Sequence, residues 1–240
     1  MTLYHYIYET RQPMAEGVGY EPYFDAAHSA IVCVDMHEGH LSESPDCPCP
    51  APRGRPLVEP INRFNEVARS QGVKVIHVKS TLRKSGADDV KGIPSAWRLG
   101  FPQYVGEIRN VKEHAIEGTV WTELRTHVAA EDEIVSSKKR LSAFYPTDLD
   151  FLLKQMDVKV VVLVGIMTDC CILSTAFDAS NRNYRVVTVR DLVAGTNDDL
   201  ESAALKIMSL NTGLVIDSSD LLRGWARGGQ SSFVELKQLA

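Results

Sequence analysis

Three residue types that can act together on a carbonyl stand where apolar runs of this 240-residue chain stop. The run Ala30–Val34 is followed by Asp35, the run led by Asp132–Val135 by Ser136, Ser137 and Lys138, and the Val-rich run Val158–Val164 by the turn Gly165–Cys171. A carboxylate moves protons, an ammonium stabilises a thiolate, and a thiolate is a strong nucleophile. A free thiol, with a pKa of about 8.5, is mostly protonated at neutral pH until a nearby cation or a helix N-terminus lowers it. Cys171 falls where a helix is expected to start. In this arrangement Asp35 takes the thiol proton and later hands it to a leaving nitrogen, while Lys138 supplies the positive charge. Backbone N–H groups of the 166–171 turn hold the oxyanion of a tetrahedral intermediate.

Residues so far apart in sequence meet only if the runs before them are neighbouring strands. Six runs have strand character: Ala30–Val34, Val73–Val78, Asp132–Val135, Val158–Val164, Tyr184–Val189 and Leu214–Ile216. The fourth is apolar almost throughout, as suits a strand buried on both faces of a parallel sheet. Helical periodicity separates them at Pro56–Ser70, Thr147–Met156, Cys171–Arg182 and Asp198–Leu210. Strand and helix alternate, so the expected fold is α/β, a three-layer, doubly wound α/β/α architecture with a mostly parallel six-stranded sheet. Ligands of such sheets bind beyond the carboxyl ends of the strands, where Asp35, Lys138 and Cys171 would converge. Residues 1–27 read as an N-terminal arm over a neighbour and 28–240 as one domain. Residues 80–130 are too long for a plain connection and should hold helix and a functional loop.

Composition narrows the partners. With 26 Lys and Arg against 31 Asp and Glu and no long basic run, nucleic acid is a poor fit. No stretch approaches the roughly 20 apolar residues of a membrane span, and the first residues lack a signal-peptide pattern. Five cysteines, two of them adjacent, suit a reducing cytoplasm better than a disulfide framework.

The motifs G-I-M-T-D-C-C-I (Gly165–Ile172) and K-x-x-x-S-A-F (Lys138–Phe144), with the strand-terminal Asp35, resemble the isochorismatase-like hydrolases, among them nicotinamidases, N-carbamoylsarcosine amidase, and biuret and ureidoacrylate hydrolases. The likeness runs from about residue 30 to 222. It implies Asp35, Lys138 and Cys171 as the catalytic set, with Lys139 the off-by-one alternative to Lys138 and Cys170 turned into the core. It also implies a cis peptide between Ile166 and Met167 that aims the amides of Met167 and Cys171 at the oxyanion, and a homo-oligomer, dimer or tetramer. Nicotinamidases of the superfamily carry a D-x-H-type metal set after the second strand. Here that region reads HVKSTLRKSGADDV, so the expectation is no metal and no cofactor. The cysteine argues for amide chemistry on a small-molecule substrate, against the vinyl-ether cleavage of isochorismatases that lack it. An inactive binding protein on the same fold is the remaining alternative.

Substrate contacts are expected from His37, Trp97, Arg98, Phe144 and Asn211, with Phe101 beside Arg98 on a lid. Each also has a plain structural reading: packing for the aromatics, a surface arginine, a helix C-cap for Asn211. His37, Glu38 and His40 lack the H-E-x-x-H spacing of a helical zinc site, and Cys47 and Cys49 in the Pro-rich loop PDCPCP lack a second cysteine pair, so they read as loop thiols.

Overall fold

A computed structural model describes residues 2–15, 17–88 and 96–227, with only the backbone for 96 and 97. The elements that frame the site are β3 (Ser29–Val34), β4 (Lys74–Ser80), β5 (Glu133–Lys138), β6 (Val160–Ile166), β7 (Arg185–Ala194) and β8 (Gly213–Ile216). They are preceded by β1 (Tyr4–Ile7) and β2 (Thr10–Pro13). The sheet order is β2-β1-β8-β7-β6-β3-β4-β5. The six strands from β3 to β8 pair in parallel, in the doubly wound arrangement expected.

β3 and β6 lie side by side in the middle and are buried along their whole length, which explains their unbroken apolar sequence. Alternate residues supply opposite faces. Ile31, Val162 and Val164 pack with Ile61 and Phe64 of α2 (Val58–Ser70) and Trp225 of α7 (Ser218–Ala226). Val32, Val161 and Leu163 pack with Leu149 and Leu153 of α4 (Leu149–Gln155), Ala176 of α5 (Leu173–Asn181) and Met208 of α6 (Asp198–Asn211). α6 starts at an Asn197 side chain that accepts from Leu200 N–H, an N-cap bond. No helix among the described residues is long and apolar enough to cross a membrane.

The sheet has eight strands where six were expected. Residues 4–13 form a hairpin whose first strand adds antiparallel to β8, with Tyr6 opposite Val215. Two four-residue strands, half exposed and partly charged, carry too little alternation to register as sheet. They are pinned by long-range polar bonds instead: Tyr6 Oη to Asp217 (3.0 Å), Tyr4 N–H to Asp220 (3.3 Å) and Arg11 to Asp220 (3.1 Å). Between β4 and β5 the long connection contains α3 (Ala96–Val105) and two short 3-10 turns. This segment is laced to the first strand's loop, α1 (Glu38–Leu41) and its approach. Glu38 N–H donates to Glu123 O, and Arg125 N–H to Met36 O.

Candidate active site

At the end of β3 the backbone turns at Asp35 with φ +55°, a left-handed conformation uncommon for a residue bearing a side chain. Asp35 N–H still donates to Val78 O (2.8 Å), while its carbonyl accepts from His37 N–H (2.9 Å). The carboxylate is thereby held over the sheet edge. Its Oδ1 accepts from Ser80 N–H (2.9 Å) and Ser80 Oγ (3.0 Å), and its Oδ2 accepts from Lys138 Nζ (2.6 Å). Lys138, the last residue of β5, also donates to Ser80 Oγ (2.9 Å) and lies 3.4 Å from Cys171 Sγ. Asp35 and Lys138 are 1% and 2% exposed.

Two buried charges survive only as a pair with their remaining bonding capacity satisfied. Burial works to raise the Asp35 carboxyl, but the Lys138 ammonium overcomes it and holds the acid far below the usual carboxylate range. Burial likewise works to lower Lys138, and the Asp35 charge more than reverses it, so the ammonium persists. The Cys171 thiol is pushed up by its contact with the Cys170 sulfur (3.9 Å) and by burial, against the pull of Lys138. The resting set is therefore carboxylate, ammonium and neutral thiol, with no net charge.

At the end of β6, Gly165 (φ +111°) passes so close to β3 that a Cβ there would lie 2.3 Å from Val34 O. Only glycine fits, which accounts for the residue that opens the G-I-M-T-D-C-C-I motif. The Ile166–Met167 peptide is cis, as the resemblance implies. A π turn (Thr168–Ile172) then leads into α5. Cys170 N–H and Ile172 N–H both donate to Met167 O (3.0 and 3.1 Å). Thr175 Oγ1 donates to Cys171 O (2.6 Å) and accepts from Ala143 N–H (2.9 Å). The S-A-F segment thus braces the cysteine-bearing turn.

Asp35, Lys138 and Cys171 line one cavity of about 430 Å³, together with Met167, Arg98 and Phe101. The α3 residues Arg98 and Phe101 are where a lid would place them, whereas the side chain of Trp97 lies outside the described residues. Lys139 Nζ lies 3.0 Å from Asp88 and bonds Thr81 O, so Lys138 is the lysine facing the carboxylate. His37 is fully buried beside Asp35, with Nδ1 bonded to Trp121 O (2.8 Å) and Nε2 3.8 Å from Asp35 Oδ1. It stands behind the acid, outside the residues that line the cavity.

His37 is thus no wall of the cavity, and two further expected contacts are corrected. Phe144 points into the core, stacked on Tyr184 (6.1 Å) under the Arg182 guanidinium, because the bracing of Ala143 turns its neighbour away from the cavity. Asn211 donates to Ile207 O one turn back in α6 and lines a separate cavity beside the N-terminal hairpin. The thiols differ as well. Cys170 lines the active cavity as well as packing against the core, and Cys47 and Cys49 are buried instead of loose in a loop. None of the five cysteines is disulfide-bonded. Ser80 escaped the sequence reading because a lone serine after a strand carries no pattern. The same is true of the meeting of His40, Cys49 and His114, whose ligand atoms lie within 4.8 Å of one another.

A doubly wound sheet with a buried ion pair against a thiol at its carboxyl edge is an enzyme-like arrangement, and the comparisons with known proteins define the class as hydrolase. The chain belongs to the isochorismatase family, whose Isochorismatase domain matches residues 29–220. Nicotinamidase 3 of Arabidopsis thaliana is 33% identical over 195 residues, 81% of this chain and 87% of that protein. The maleamate amidohydrolase of Pseudomonas putida is 28% identical over 195 residues, 81% and 85% of the two chains. The crystal structure of a cysteine hydrolase from Pseudomonas syringae shares the fold, with a TM-score of 0.75 at 21% identity, covering 90% of this chain and 99% of that one.

Proposed function

We propose that this hydrolase is a cysteine amidohydrolase that cleaves the C–N bond of a small amide, ureide or carbamoyl compound through a thioester. The observation that carries the reading is one ammonium, Lys138, set 2.6 Å from a carboxylate and 3.4 Å from a thiol at the floor of the same cavity. Asp35 accepts the Cys171 proton as sulfur attacks the carbonyl carbon. The amides of Met167 and Cys171 receive the oxyanion, the role the family resemblance implies for them. Collapse of the tetrahedral adduct breaks the C–N bond, and Asp35 returns the proton to the departing nitrogen, which leaves as ammonia or an amine. Asp35 then deprotonates a water that hydrolyses the thioester and restores the thiol. Lys138 keeps the local charge balanced throughout and activates the thiol without a metal. Arg98, which lines the same cavity, suits a substrate bearing a carboxylate or a carbonyl.

The relatives named as amidohydrolase and nicotinamidase support amide chemistry over ether cleavage. The test is ammonia release from a panel of carboxamides, ureides and carbamoyl amino acids, with nicotinamide and maleamate included. Wild type should release ammonia from at least one compound, and Cys171→Ala and Asp35→Asn should not. Full activity in either variant would sink the thioester mechanism. The same reading puts the enzyme in the cytoplasm as a single catalytic domain that includes the N-terminal hairpin, assembled as a homo-oligomer whose mass light scattering would give.

A further inference from the structure

The cavity wall facing the thiol carries a second set of groups that the hydrolytic scheme leaves unused. His40 belongs to α1, Cys49 to the Pro-rich loop after it, and His114 to the connection between β4 and β5. All three line the cavity that contains Asp35 and Cys171. We propose that His40, Cys49 and His114 form a zinc site, with the fourth coordination position open to the cavity.

The geometry favours a metal over three packed side chains. His40 Nδ1 is 2.8 Å from Cys49 O, which fixes the tautomer and leaves Nε2 as a bare acceptor. That Nε2 and His114 Nε2 share a hydrogen bond of 3.4 Å, whose proton a metal ion between them would replace. Two nitrogens bound to one zinc at about 2.0–2.1 Å and the tetrahedral angle are roughly 3.3–3.4 Å apart. The Cys49 sulfur and both ring nitrogens lie within 4.8 Å of one another, so small side-chain rotations bring all three to bonding distance. His37 stands beside the set, outside the residues that line the cavity. Its ring packs 4.6 Å from that of His40, its Nδ1 is taken by Trp121 O, and its Nε2 is buried with no hydrogen-bond partner among the described residues. Most buried polar atoms have a partner.

The scaffold is already built. Cys49 N–H donates to Gly39 O (3.2 Å) and Ala51 N–H to His40 O (2.8 Å), clamping loop to helix. On the other side, Leu82 N–H donates to Ala115 O (2.6 Å) and Glu117 N–H to Leu82 O (2.8 Å), fixing the chain next to His114. Two imidazoles and a thiolate suit zinc and exclude the oxygen-seeking magnesium and calcium. None of these residues comes from the turn after β4, where the sequence lacks a D-x-H set. The expectation of no metal rests on that turn and on the spacing of His37 and His40, and His114 comes from a segment distant from both.

The site does not rest on the amidohydrolase reading, so its test uses no substrate. The full chain is stripped with chelator and titrated with zinc alone by calorimetry in two buffers of different ionisation enthalpy. One zinc per chain should bind with release of the Cys49 proton. Cys49→Ser and His114→Ala should each weaken binding on the order of 100-fold or more, and Cys171→Ser should leave it unchanged. Cobalt in place of zinc should give a thiolate-to-metal charge-transfer band in wild type and in Cys171→Ser but not in Cys49→Ser, with circular dichroism reporting that each variant is folded. No saturable binding, or binding that Cys171→Ser abolishes and Cys49→Ser spares, would overturn the proposal.

Discussion

Lys138→Met removes one charge from the centre of the site and leaves the alkyl stem nearly intact. Asp35 then keeps two hydrogen bonds from Ser80 but has no cation, in a position 1% exposed. Breaking a buried pair by removing one partner costs about 3–5 kcal/mol, a large share of the 5–15 kcal/mol that holds a domain folded. Removing both charges should cost far less, so Asp35→Asn with Lys138→Met should lie within about 1–2 kcal/mol of wild type. The pH dependence has a definite sign. In wild type the folded carboxyl lies below its unfolded value, so the pair's contribution is complete above about pH 4 and is lost as pH falls below that. In Lys138→Met burial prevails and the folded carboxyl lies above its unfolded value. Mild acid then protonates the folded form and stabilises it, so the deficit relative to wild type narrows between pH 7 and pH 4. Urea unfolding at pH 7 and pH 5, followed by tryptophan fluorescence, measures both effects. A loss under about 1 kcal/mol at pH 7, or a double variant as unstable as the sum of the singles, would refute the buried ion pair as the organising element of the site.

Other expectations follow from single features. Cys171→Ser should lower kcat/KM by roughly 1000-fold or more while leaving the urea midpoint near wild type, since the side chains are almost isosteric; steady-state kinetics on the substrate found by the ammonia panel decides. Gly165→Ala should destabilise by about 3 kcal/mol or more, because its Cβ meets Val34 O at 2.3 Å and the two central strands cannot part, and equilibrium unfolding would show it. Arg69 holds Asp132 by two bonds of 2.8 and 2.6 Å, with His77 3.2 Å from the same carboxylate. Burial opposes ionisation of Asp132, but Arg69 outweighs it and lowers the acid. Arg69→Met should therefore cost about 2–4 kcal/mol at pH 7, and the difference from wild type should shrink in melts run below pH 4.

The parts of the site that were legible in the sequence are those fixed by strand ends. β3 and β6 announce themselves as unbroken apolar runs, and a parallel pair places their C-terminal residues together, so Asp35 and Cys171 follow from the fold. Lys138 follows from the end of β5, although the run there is half exposed and reads as shorter than it is. What a linear pattern does not carry is side-chain direction and cross-chain assembly. Phe144 shares a motif with Lys138, yet the bond from Ala143 to Thr175 sends its ring into the core. Ser80 is invisible until β3, β4 and β5 are laid side by side. His40 and His114 are separated by 74 residues and joined only by the long connection that no periodicity describes.

The hairpin at the edge of the sheet has a consequence for how the chain is made. Its strand β1 pairs with β2 and β8, and its polar anchors reach Asp217 and Asp220, up to 216 residues away in sequence. At a synthesis rate of about 5–20 residues per second, the first strand emerges at least ten seconds or so before its docking edge exists. Its edge toward β8 must stay unpaired in the meantime, while β2 covers the other edge and carries Arg11 and Pro13, residue types that resist edge-to-edge association. The last parallel strand to be translated thus sets the moment at which the first residues of the chain find their place.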